Sequence, residues 1–186
     1  MESMTVEKLM IPAERFPRIS EEETFGTVVR TLNQCHEDYK SGKSEQCILL
    51  VHDERGRVVG KISPMDVLRG LEPQYSKMGE AVGAHTLGAS YDHMMRSLFD
   101  QATLWTRPLK ELCSKARDVK IKDFIRRPTA AQTVDITDSL DQAVHRFVMG
   151  RHDSLFVTDG AQLRGMLLFS DLYAHMSRIM NETCNL

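Results

Sequence analysis

The sequence predicts an α/β (α+β) protein made of two copies of one strand–helix–strand–strand–helix unit, βαββα, with a helical insert between them. Three observations lead there. The chain is self-similar at a nearly constant offset, short apolar strands alternate with stretches of helical period, and the segment between the copies carries its apolar residues on one helical face.

The self-similarity begins where Val6-Glu7-Lys8-Leu9-Met10 matches Ile121-Lys122-Asp123-Phe124-Ile125, 115 residues on. The same offset pairs Ile19 with Val134, Phe25 with Leu140, Val29 with Val144 and Leu32 with Phe147. Later, Gly60 pairs with Gly165 and Asp66 with Asp171 at an offset of 105. The first copy therefore holds extra residues, and they fall in the polar stretch 35–46, a solvated loop by composition.

In copy one, Arg18 to Ser20 reads as a short strand. Thr24 caps a helix whose apolar positions Phe25, Val28, Val29 and Leu32 keep helical spacing. Ile48 to Val51 is a buried strand, Asp53-Glu54-Arg55-Gly56 a hairpin turn, and Arg57 to Ile62 the returning strand. Ser63-Pro64-Met65-Asp66 opens a helix with proline in its first turn. Copy two repeats the order: a strand at Val134, a Ser139/Gln142 capping box, strands at Leu155–Val157 and Leu163–Leu168 around an Asp159-Gly160 turn, and a helix from Asp171. The boundaries are 4–71 for copy one, 72–118 for the insert and 119–180 for copy two.

In the insert, Tyr91, Met94, Met95, Leu98, Phe99, Ala102 and Trp105 share a helical face, and Leu109, Leu112 and Cys113 continue the stripe. This is a helical hairpin with its own core, or a docking or dimerisation face with Trp105 as its anchor.

Composition excludes several classes. The 186 residues carry 24 basic and 26 acidic side chains, a net charge of −2, so there is no basic field for nucleic acid. The longest apolar runs are a handful of residues, too short for a membrane span, and the N-terminus has no signal pattern. A cytoplasmic protein is expected. The cysteines at 35, 47, 113 and 184 lack C-x-x-C spacing, and Cys35, His36 and Cys47 fit no ligand framework, so no metal is expected. The chain has no phosphate-binding G-x-x-x-x-G-K-[ST], no H-E-x-x-H and no G-x-S-x-G, so it is not expected to be an enzyme.

The two copies end in Gly60-Lys61-Ile62-Ser63-Pro64-Met65-Asp66 and Gly165-Met166-Leu167-Leu168-Phe169-Ser170-Asp171. With the repeated element order, these endings resemble a tandem cystathionine-β-synthase (CBS) domain pair, or Bateman module, and no other domain remains once both copies are assigned. The resemblance implies pseudo-twofold symmetry, a disc-like homodimer, and AMP, ADP or ATP (or S-adenosylmethionine) bound in clefts between the repeats, biasing the activity of a regulated partner protein. No cofactor is required.

The resemblance also directs attention to particular residues. Asp66 is a two-oxygen acceptor for ribose hydroxyls, Ser63 lies beside it at a helix N-terminus that favours phosphate, and Asp171 is its counterpart. The same Ser63/Asp66 pattern is a helix cap in its own right. Copy two departs from the motif, because Leu168 stands where a hydroxyl is expected; Ser170 is the substitute. Arg151 and His152 are the groups for phosphate, Thr133 offers a hydroxyl, and Ile11, Pro12, Ile19 and Val134 line the base. The alternative is a structural pair with degenerate clefts that acts as an adaptor through its helical insert.

Overall fold

The computed structural model describes residues 4–72 and 107–184. The stripe Tyr91–Trp105 lies outside the described residues. Two compact units divide the chain: Met1–Pro17 with Arg127–Leu186, and Arg18–Arg126.

The unit Arg18–Arg126 holds a three-stranded sheet. β2 (Arg18–Ser20) runs parallel to β3 (Leu49–His52), which pairs antiparallel with β4 (Val58–Ile62). Helix α1 (Phe25–Lys40) crosses from β2 to β3, and α2 (Pro64–Leu71) follows β4. Thr24 Oγ1 accepts from Thr27 N–H at 3.3 Å, the expected cap of α1. Asp53 holds the hairpin: its Oδ1 accepts from the Arg55 and Arg57 N–H groups at 2.9 Å, and Gly56 takes a positive φ of 74° that glycine tolerates. Ile19, Val28, Leu32, Leu49, Val51 and Ile62 form the core, closed by Ile121 from the segment after the insert.

Helix α3 (Leu109–Ala116) shows which insert face is buried. Leu112 and Ala116 pack on Phe25 and Leu71. Leu109 and Cys113 are exposed, which corrects the expected stripe. This part of the insert packs on α1 and α2, because the apolar ends of those helices offer it a larger partner than its own turn.

The second unit has a four-stranded sheet in the order β1-β7-β6-β5. β5 (Thr133–Asp135) is parallel to β6 (Ser154–Asp159), which pairs antiparallel with β7 (Gln162–Leu168). Helix α4 (Leu140–Gly150) crosses from β5 to β6, and α5 (Phe169–Cys184) follows β7. The fourth strand, β1 (Ile11–Pro12), comes from the start of the chain and pairs with β7 through Ile11–Met166 and Pro12–Gly165. Val6 from the same arm is fully buried with Val134, Leu140, Phe147, Leu155 and Leu167.

The compact units thus cut across the repeat boundaries. The arm at 4–17 belongs with the second copy's sheet, and the matching arm at 119–126 with the first copy's. The arm also replaces a predicted cap. Ser139 sits at the N-cap of α4, but its side chain makes no cap hydrogen bond. Instead the Leu140 N–H donates to the Met4 carbonyl at 3.1 Å, and Ser139 bridges Thr5.

Candidate functional site

Strand direction decides which residues share one end of each sheet. In the second unit, β5 and β6 begin, β7 ends and β1 begins at the same end. That end therefore gathers Ile11, Pro12, Thr133, Arg151, His152, Ser170 and Asp171. Three of the strands are local to the second copy; the fourth comes from a sequence more than a hundred residues away. In the other unit the corresponding end carries Ile19, Ser63 and Asp66. The apolar candidates differ in exposure. Ile11, Ile19 and Val134 are buried, with Val134 deep in the core, whereas Pro12 is exposed.

Ser63 and Asp66 are already engaged with each other. The Ser63 N–H and hydroxyl both donate to Asp66 Oδ2, at 2.9 and 2.8 Å, and Arg69 Nη1 donates to Asp66 Oδ1 at 3.1 Å. The capping geometry expected from the pattern is in place. Two chemical consequences follow. The Ser63 hydroxyl has spent its proton, so toward a ligand it is an acceptor. The carboxylate keeps lone pairs for sugar hydroxyls, since it offers about four acceptor sites.

In the second unit, Asp171 lies in the first turn of the sixteen-residue α5, and the exposed Ser170 hydroxyl is 3.4 Å from Asp171 Oδ1. Thr133 Oγ1 donates to the Thr129 carbonyl at 3.1 Å, so it too faces a ligand only as an acceptor. Arg151 is exposed and has a positive φ of 48°, which ends α4 sharply and sends the chain into β6. The His152 ring folds back over Gly150, where a Cβ would collide with it, and His152 Nε2 is buried without a hydrogen-bond partner. The N-terminal end of the α5 dipole and the Arg151 guanidinium suit an anion.

One residue escaped the sequence reading. Leu168 is buried, and its partner across the β6–β7 ladder is Ser154. In the first copy, Ile48 and Ser63 flank the Leu49–Ile62 pair at the equivalent places. The hydroxyl absent from Leu168 therefore stands on the facing strand, on the same side of the sheet. Ser154 is buried and its Oγ donates to Asp153 Oδ1 at 2.8 Å, while the Asp153 carbonyl accepts from the Phe169 N–H at 3.0 Å. The signal lay in the sequence: at an offset of 106, Ile48 matches Ser154, the reverse of the Ser63/Leu168 exchange.

A depression on this unit lies elsewhere. It has a volume of about 570 Å³ and is lined by Asp138, Asp141, Gln142, His145 and Arg146 at the start of α4. No helix among the described residues is long and apolar enough to cross a membrane.

Comparison with known proteins bears on this architecture. Residues 116–178 match the family model of the CBS domain. A search of curated proteins by sequence finds no match. Among solved structures, the chain resembles a CBS domain-containing protein of unknown function from Bacillus anthracis, with 14% identity and a TM-score of 0.55 over 95% of this chain and 94% of that one. It also resembles CBSX2 in complex with AMP, with 17% identity and a TM-score of 0.54 over 95% and 98%. A third similar structure is that of the CBS domains of a transcriptional regulator from Streptococcus pneumoniae, with 13% identity and a TM-score of 0.52 over 92% and 98%. At these identities the likeness is one of fold.

Proposed function

We propose that this chain, a tandem CBS-domain protein, is a regulatory module that binds an adenine nucleotide and thereby modulates a partner protein. The observation that carries the reading is the gathering of Arg151, Thr133, Ser170 and Asp171 with the exposed Pro12 at one end of the β1-β7-β6-β5 sheet. A carboxylate, hydroxyl acceptors, a cation and a helix N-terminus are the groups that a ribose and its phosphate need. In similar structures the CBSX2 protein is in complex with AMP, and the cytosolic domain of the magnesium channel MgtE with ATP. In this chain Asp171 reads the ribose, Arg151 attracts phosphate, and Pro12 with its neighbour Ile11 borders the base, while the His152 ring, folded over Gly150, takes no part. Ser63 and Asp66 form the corresponding end of the other unit, and S-adenosylmethionine shares the adenosine that both would read.

The same reading makes the protein regulatory rather than catalytic, cytoplasmic and homodimeric. Support for the dimer comes from the helices that follow the two sites. Met65 and Leu68 on α2, and Phe169 and Tyr173 on α5, are exposed, and Leu68 and Tyr173 hold equivalent places in the two copies.

Isothermal titration calorimetry of AMP, ADP and ATP tests the proposal. Saturable binding that Asp171→Ala weakens at least tenfold supports it, and the absence of heat from all three ligands at millimolar concentration overturns it. A second reading, an adaptor with degenerate clefts, is favoured by the cap that occupies Asp66 and by the burial of Leu168. It predicts a partner pull-down that survives Asp66→Ala and fails with Trp105→Ala.

A further inference from the structure

Cys35 and Cys47 come together across the connection from α1 to β3, where the stretch expected to be a solvated loop from residue 35 is helical as far as Lys40. Cys35 is buried on the last turns of α1, and Cys47 is half-buried, two residues before β3. Their contacts are reciprocal. The Cys35 thiol donates to the Gln46 carbonyl at 3.6 Å, the carbonyl of the peptide that leads into Cys47. The Cys47 thiol donates to the Leu32 carbonyl at 3.6 Å, one helical turn before Cys35. Each sulfur therefore reaches into the backbone beside the other. Burial, and then the neighbouring Cys47 thiol, push the Cys35 thiol up to about 12.

Neither carbonyl depends on the thiol protons. Gln46 O also accepts from Ser44 Oγ at 2.8 Å, and Leu32 O lies inside a helix, where the N–H four residues on is its regular donor. Losing both protons leaves no acceptor orphaned. The loop between the sulfurs, with Ser41, Gly42, Lys43 and Glu45 exposed, gives an oxidant a route to the less buried Cys47.

We propose that Cys35 and Cys47 are a redox-active dithiol that a peroxide converts into an intramolecular disulfide stapling α1 to the start of β3. The Cys47 thiolate attacks one peroxide oxygen, so an S–O bond forms, the O–O bond breaks, and the departing hydroxide leaves as water with the thiol proton. The Cys35 sulfur then attacks the Cys47 sulfenic acid. An S–S bond forms, the S–O bond breaks, and a second water carries away the Cys35 proton. Two electrons pass from the sulfurs to the peroxide, and a dithiol reductant reverses the change. The deeper burial of Cys35 leaves the first step to the less buried Cys47 and the second to Cys35, where the sulfenic acid beside it is the electrophile.

The test uses the full chain with the exposed Cys113 and Cys184 changed to serine, treated with hydrogen peroxide and measured by intact mass, non-reducing tryptic mapping and melting. The expected product has lost two hydrogen atoms and yields a linked pair of peptides, 31–40 with 44–55. Its melting temperature rises by roughly 5–10 °C, and dithiothreitol reverses both changes. Cys47→Ser and Cys35→Ala each abolish the link. Two outcomes overturn the proposal: Cys47 accumulating as sulfinic acid without a link to Cys35, or both thiols persisting while a surface-cysteine protein of similar size is oxidised in the same solution.

Discussion

Asp66 is asked to do two jobs with one carboxylate. It caps α2 through two Ser63 donors, and it is the acceptor a ribose would meet. The two jobs separate by substitution. Asp66→Ala loses the cap and should cost about 1 kcal/mol of stability in urea denaturation, whereas Asp66→Asn keeps an acceptor oxygen and should cost less. If the two variants were equally stable, the cap would not be holding the helix. Glu22 makes a different residue-scale claim. Hydrogen bonds from Lys120 and Lys122, each at 2.7 Å, hold its carboxyl down at about 2, against an ordinary value of 4.5. A depressed carboxylate contributes stability above its unfolded value and loses it as pH falls through the folded one. The melting temperature should therefore fall between pH 4.5 and about 2 more steeply in the native chain than in Glu22→Gln. Because both ion pairs are exposed, 1 M salt should shrink that difference.

At the scale of elements, the two arms explain the two motif glycines. Gly165 lies under the backbone of β1, where a Cβ would meet the Ile11 carbonyl. Gly60 lies under the other arm, where a Cβ would meet Ile125 Cδ1 at 2.6 Å, the movable end of a side chain. Gly165→Ala should thus destabilise by about 1–3 kcal/mol, and Gly60→Ala by less, in chemical denaturation; the reverse order would contradict the packing of the arms. Much at this scale was legible. The strand Arg18–Ser20, the Thr24 cap, both hairpin turns and the Pro64 helix start stand where the apolar spacing and turn residues put them. The exchange of arms was not legible, because β1 is two residues with a proline and has no period to read. The Ser139/Gln142 box failed for a related reason: the arm supplies a backbone acceptor, so the side chain is not needed. The buried face of α3 was misread because Phe25 and Leu71, distant in sequence, choose Leu112 and Ala116.

For the whole molecule, the candidate site was legible as residue types and only partly as geometry. Ser63 with Asp66, and Ser170 with Asp171, pair at helix starts as their spacing requires. The placement of Ile11 and Pro12 beside β7 depends on the arm, and the Ser154 hydroxyl that faces Leu168 depends on strand register. Thermal melting of the full chain with AMP, ADP and ATP, beside Asp171→Ala, tests the nucleotide proposal most directly. The ligand increment is compared within each protein, so a loss of intrinsic stability in the variant does not count. A nucleotide at 100 times its dissociation constant should stabilise the native chain by about 2.7 kcal/mol. That corresponds to a rise in melting temperature of roughly 5–10 °C, and Asp171→Ala should lose most of it. No rise with any of the three at millimolar concentration would contradict the account.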